Sequence, residues 1–140
     1  MKFVLDANVG IKWVLVEDLS DKARELREQY RAGAHELIAP DVFPIEAAHT
    51  LSRATRTGRI TQPEADAALA GILHDSPQYH SYLPLLRRAF EISLQARIGV
   101  YDCLYVALAE REACELITAD EKLVKNLQVD FPFIVSLSSL

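Results

Sequence analysis

Residues 99–122, GVYDCLYVALAEREACELITADEK, constrain this fold more than any other stretch. Tyr101, Leu104, Tyr105 and Leu108 recur at i, i+3, i+4 and i+7, which predicts a helix from Tyr101 to about Glu112. The opposite side, with Cys103, Val106, Ala107 and Ala109, is also apolar. A helix apolar all round is buried between other elements. A short strand, Glu115 to Thr118, is predicted next, then a turn with Asp120 and a helix from Glu121 to Leu127. Yet Asp102 stands in the first turn of the apolar helix. A lone buried carboxylate costs several kcal/mol, roughly, unless it is paired, hydrogen-bonded or neutralised by a metal. The helix N-terminus favours an anion by only about 0.3–2 kcal/mol. Asp120 follows a strand, and open α/β sheets bind ligands beyond the carboxyl ends of their strands. It is equally suited to N-cap the next helix.

Upstream, Phe3-Val4-Leu5 reads as a strand buried on both faces, ending in Asp6-Ala7-Asn8, so Asp6 is another carboxylate at a strand end. A short apolar helix is predicted from about Val9 to Val16. Ser20 is expected to cap a second helix, Asp21 to about Ala32, closed by Gly33. Leu37-Ile38-Ala39 forms a strand, and Asp41 is expected to cap a helix reaching about Thr57 that buries Ala47, Leu51 and Ala54. Glu46 lies in its early turns. Arg53, Arg56 and Arg59 recur every third residue, either as a solvated face or as a phosphate-steering ridge beside Glu46. A helix starting at Thr61 aligns Ala65, Ala68, Leu69, Ile72 and Leu73, with little polar surface. Tyr79 to Leu83 reads as an edge strand, and the helix opened by Pro84 aligns Leu86, Ala89, Phe90, Ser93 and Leu94. Phe133 to Val135 is the last strand. This alternation predicts a single domain, residues 1–140: an α/β/α sandwich on a mostly parallel sheet of about five strands.

The formal net charge is −5, from 15 basic and 20 acidic residues, which argues against a generic basic nucleic-acid clamp but not against a nucleic-acid substrate. Cys103 and Cys114, the only cysteines, form no CxxC and read as reduced thiols. Met1-Lys2 leads directly into a strand, and no run reaches membrane-spanning length. The expectation is a soluble, cytoplasmic protein.

Four carboxylates, Asp6, Glu46, Asp102 and Asp120, thus stand at strand ends or helix starts. Two unit charges about 4 Å apart repel by roughly 4 kcal/mol at an effective dielectric of 20. Four acids sharing one pocket therefore call for a cation. Carboxylate oxygen suits Mg²⁺ or Mn²⁺, and neither the four histidines nor the two thiols have zinc-ligand spacing. There is no GxGxxG, P-loop or GxSxG. Physical chemistry alone leads to a hard-cation site with phosphoryl chemistry.

Four motifs in order resemble the PIN-domain family, and specifically VapC-type toxin ribonucleases: VLDAN, PDVFPIEAAHTL, VYDCLYVALAE and LITADEKL. The resemblance spans essentially the whole chain. It implies a metal-dependent endoribonuclease in which Asp6, Asp102 and Asp120 hold Mg²⁺ or Mn²⁺. Glu46 would ligate the metal or orient the attacking water. Asn8 would support the site, and Thr118 would supply a metal- or water-orienting hydroxyl. His49 stands where many relatives have Asn. The resemblance further implies a homodimer neutralised by a small antitoxin protein, with single-stranded or loop RNA as substrate. Two alternatives remain at this stage: a non-catalytic PIN-like binding module, and a phosphatase with an Asp nucleophile.

Overall fold

The computed structural model describes residues 1–140. Five short strands, β1 (Lys2–Leu5), β2 (Glu36–Pro40), β3 (Gln78–His80), β4 (Glu115–Thr118) and β5 (Ile134–Ser136), form one sheet. Their order is β3-β2-β1-β4-β5, and every neighbouring pair is parallel. Phe3, Val4 and Leu5 are all buried, as are Leu116, Ile117 and Thr118. Successive strand residues point to opposite faces, so helices must cover both. The α/β/α sandwich expected from the sequence is the architecture found.

The helices are α1 (Ala7–Ile11), α2 (Ser20–Arg31), α3 (Phe43–Arg56), α4 (Gln62–His74), α5 (Leu86–Ala96), α6 (Val100–Glu112) and α7 (Glu121–Leu127). Single 3₁₀ turns lie at Leu83–Leu85 and Leu137–Ser139. Helix α6 packs on β1, β2 and β4, with α5 behind it. Its residues from Cys103 to Ala109 are all buried, as an apolar perimeter requires. Thr61 and Glu64 cap α4 reciprocally, and Gly33 ends α2 at φ +78°.

Several local expectations are corrected. Helix α1 stops at Ile11, well short of Val16, and the chain turns from there. Leu19, in a left-handed conformation, is the N-cap of α2. The Ser20 hydroxyl instead accepts from the Glu17 amide and donates to the Leu15 carbonyl, closing the preceding loop. Asp41 does not cap α3; its carboxylate accepts from the Tyr82 amide. The edge strand covers Gln78–His80 rather than Tyr79 to Leu83, because Pro84 lies in a 3₁₀ turn. In α5 the buried pair is Ala89 and Ile92, while Phe90 and Leu94 are exposed. Tyr101, expected to share the buried stripe of α6, is also exposed.

After β1 the chain reaches β2 and β3 on one side and β4 and β5 on the other. The sheet order therefore reverses between β1 and β4. Ligands of parallel sheets lie at such a switch point, beyond the carboxyl ends of the strands. Asp6 follows β1, and Asp120 lies two residues beyond the end of β4.

Candidate active site

Asp6 leaves β1 and N-caps α1, its Oδ1 accepting from the Asn8 amide at 3.3 Å. The Thr118 hydroxyl, at the end of β4, donates to Asp6 Oδ2 at 2.9 Å. The same hydroxyl accepts from the Asp120 amide at 3.1 Å and from Asn8 Nδ2 at 3.3 Å. Asn8 Oδ1 in turn accepts from the Ala119 amide at 3.0 Å. A threonine hydroxyl offers one donor and two acceptor positions, and all three are used within the chain. Thr118, fully buried, therefore positions Asp6 and has no lone pair left for a metal or a water. Asn8 and Thr118 together lock the ends of the two central strands in register.

Glu46 lies in the first turn of α3 and Asp102 in the first turn of α6. The buried Tyr105 hydroxyl donates to Glu46 Oε1 at 2.8 Å. Sequence reasoning placed Tyr105 in the core and missed this role. The available signal was the hydroxyl itself, since a buried tyrosine needs a hydrogen-bond partner.

A cleft of about 700 Å³ brings together Asp6, Asn8, Glu46, His49 and Asp102, with Ile11, Lys12, Glu17, Ile45 and Tyr101 among its other walls. Asp120 does not line it. Its Oδ1 accepts from the Lys122 and Leu123 amides and caps α7, as the simpler sequence reading allowed. Its charge nevertheless bears on Asp102. Arg53 and Arg56 are exposed on α3 and lie outside the cleft walls. Arg59 is held by Glu17 at 2.9 Å, and Glu17 also holds Lys12 at 3.4 Å.

The electrostatics follow from burial and like charge. Burial, then the charges of Asp102 and Glu46, push the Asp6 carboxyl up to about 7, against the opposing bonds from Thr118 and Asn8. Burial raises Glu46 above the usual carboxylate range despite the Tyr105 bond, and Asp102 adds to it. Asp102 is raised by burial and then by Asp120. Burial and the neighbouring carboxylates raise Tyr105 as well, so it stays a proton donor.

No three Asp, Glu, His or Cys side chains are gathered tightly enough to enclose a metal unaided. The donor set is nonetheless all carboxylate oxygen with uncompensated charge. That fits Mg²⁺ or Mn²⁺, which keep several waters and need only one or two carboxylates.

The profile of the family described as the PIN domain matches residues 3–127. A Pyrobaculum aerophilum protein named ribonuclease VapC3 is 32% identical over 138 residues, covering 97% of this chain and 99% of that one. The crystal structure of PAE2754 from Pyrobaculum aerophilum superimposes with a TM-score of 0.71 at 19% identity, covering 99% of this chain and 94% of that one. VapBC2 from Rickettsia felis, solved bound to a DNA fragment from its promoter, gives 0.66 at 16% identity over 97% of both chains. With the motif order and the strand-end acids, these likenesses agree on one conclusion: the chain belongs to the PIN-domain family and is of the VapC type.

Proposed function

We propose that the protein is a metal-dependent endoribonuclease, the toxin of a toxin–antitoxin pair, using Mg²⁺ or Mn²⁺. The observation that carries this reading is Asp6: a buried carboxylate facing Asp102 and Glu46 at the sheet's switch point, its charge uncompensated. Asp6 and Asp102 would hold the cation, with Asp120 contributing through its charge or its remaining oxygen. When bound, the cation supplies Lewis-acid stabilisation of the charge developing on the scissile phosphate and lowers the pKa of water. Glu46, fixed by Tyr105, orients the attacking water or accepts its proton. Thr118 and Asn8 hold Asp6 at a set orientation. Arg53 and Arg56 extend away from the cleft along α3 and suit phosphates of the flanking strand.

The relative, a ribonuclease VapC3, and the structural neighbour, a VapBC2 assembly, support RNA as substrate and an antitoxin as partner. A homodimer and a cytoplasmic site of action belong to the same reading. No helix is long and apolar enough to cross a membrane.

The test is cleavage of cellular RNA by purified, antitoxin-free protein with Mg²⁺, Mn²⁺ or EDTA, with Asp102→Asn in parallel and the cut ends mapped. Discrete cuts that need the metal and vanish in the variant are expected. A folded protein that cuts nothing under any metal would move the assignment to a non-catalytic binding module.

A further inference from the structure

Two large apolar side chains stand in the cleft wall largely open to solvent: Ile45, 64% exposed, and Tyr101, 59% exposed. Each immediately precedes a carboxylate in the first turn of its helix, Ile45 before Glu46 and Tyr101 before Asp102. Ile45, Glu46, Tyr101 and Asp102 all line the same cleft, so a group resting on either apolar side chain shares that cleft with the acids. Tyr101 departs from the rest of α6, where Cys103 to Ala109 are all buried. The aromatic pairs of the chain, Phe3–His35, Phe43–Tyr79 and Phe131–Phe133, do not use it. The same wall carries one lysine, Lys12, tied to Glu17.

An aromatic face, an aliphatic branch and a cation arranged around a carboxylate cleft match the parts of a nucleotide. The cleft volume of about 700 Å³ falls within the range of small-molecule sites. That is room for a nucleotide-sized unit.

We propose that Tyr101, supported by Ile45, is the platform on which one base of the substrate strand stacks, so that the site selects unpaired nucleotides. The proposal rests on the ribonuclease reading above and adds to it the feature that sets substrate class. A base within a duplex is already stacked on both sides and must be unstacked to lie on Tyr101, whereas a loop or single strand presents it freely. Base–aromatic stacking tolerates any base, so Tyr101 sets pairing state rather than sequence. Lys12 is the cation within reach of that nucleotide's phosphate.

The experiment uses full-length protein in an Asp102→Asn background with Mg²⁺, to suppress cutting. The probe is a single-stranded oligoribonucleotide carrying 2-aminopurine, compared with a hairpin in which that base is paired. Stacking on Tyr101 should quench the single-stranded probe, and the paired probe should respond weakly. Adding Tyr101→Ala should remove the quench and weaken binding about ten- to a hundredfold, the loss expected for one base–aromatic stack. Tyr101→Phe should retain both. Because the side chain is exposed, Tyr101→Ala should melt with its parent, which separates lost stacking from lost folding. A quench unchanged in Tyr101→Ala, or equal for paired and unpaired probes, overturns the proposal while leaving the ribonuclease reading intact. If Tyr101→Ala binds RNA normally but no longer retains the small partner protein, the patch belongs to that partner. If the parent neither binds nor, with Asp102 restored, cuts any RNA, the ribonuclease reading falls first.

Discussion

Replacing Asp6 by Asn should abolish catalysis and also stabilise the metal-free protein above neutral pH. Unfolded, Asp6 titrates near the ordinary 3.8; folded, burial and then the Asp102 and Glu46 charges bring it to about 7. Between these values the native state holds a proton that the unfolded chain has released. Native protein therefore binds more protons, and stability falls as pH rises through this window. The stabilising protonation is fully present below about 3.8 and lost above about 7. The gap corresponds to about 4 kcal/mol. Asn removes this cost but cannot accept from both Asn8 and Thr118, and the Thr118 hydroxyl has no lone pair left for an amide donor. One lost hydrogen bond costs about 1–2 kcal/mol. The net gain at pH 8 is about 2–3 kcal/mol, or roughly 6–9 °C in Tm for a domain of this size. Near pH 5 the two proteins should melt close together. The assay is thermal unfolding in EDTA at both pH values, repeated with Mg²⁺. Mg²⁺ should raise the parent at pH 8, as a ligand of the native state does, and leave Asp6→Asn nearly unmoved. An Asp6→Asn protein no more stable than its parent at pH 8 in EDTA would refute the argument that this carboxylate is buried without compensation.

The Tyr105→Phe substitution deletes the donor to Glu46; kcat should fall about 10- to 100-fold, the worth of one hydrogen bond to a charged group. KM should stay within about twofold, and a larger change in KM than in kcat would contradict the role given to Glu46. Thr118→Val leaves Asp6, Asn8 and the Asp120 amide each short of a partner, destabilising by about 2–4 kcal/mol, while Thr118→Ser should retain most stability; equal melting of both variants would count against the clasp. At Gly10 a Cβ would meet Phe43 Cζ at 2.8 Å, so Gly10→Ala should cost about 1–3 kcal/mol by overpacking and disturb α3, which carries Glu46. Unfolding with denaturant measures the first effect and cleavage the second. If Arg53 and Arg56 contact phosphates, replacing both with Ala should reduce the slope of log affinity against log salt by up to about 2, with no change in cut position.

The sheet and its helices were legible because the strands are short apolar runs and α6 is apolar on every side. Both signals depend on burial, which the sequence pattern records directly. The strand-end acids were legible for a complementary reason, since carboxylates at those positions have no packing role. Caps were less so: Ser20 and Asp41 both look like N-caps, yet their side chains bond to a preceding loop and to the distant Tyr82 amide. A capping residue and a loop-closing residue carry the same functional group, and tertiary distance decides between them. Tyr105 and Tyr101 show the same limit within one helix. Both fit a helical stripe, but only the structure shows that one hydroxyl meets Glu46 and the other ring faces solvent.

The acids of the cleft are not held alike, and that difference bears on how the site is used. Asp6 is fixed by Thr118 and the Asn8 amide, and Glu46 by Tyr105. Among the influences on Asp102 are burial and the charge of Asp120, with no hydrogen bond to its carboxylate. Two carboxylates are thus clamped by buried hydroxyls, while the third, in the first turn of α6, accepts no hydrogen bond. Clamping every acid would fix mutually repelling charges in place, at roughly 4 kcal/mol for each pair about 4 Å apart. Clamping none would leave their spacing to chance. With Asp6 and Glu46 held, the geometry of the cleft is set by the rigid strand ends and by α6. Relief of the repulsion falls to the one carboxylate without a hydrogen-bond partner, Asp102, which follows the exposed Tyr101 in the first turn of α6.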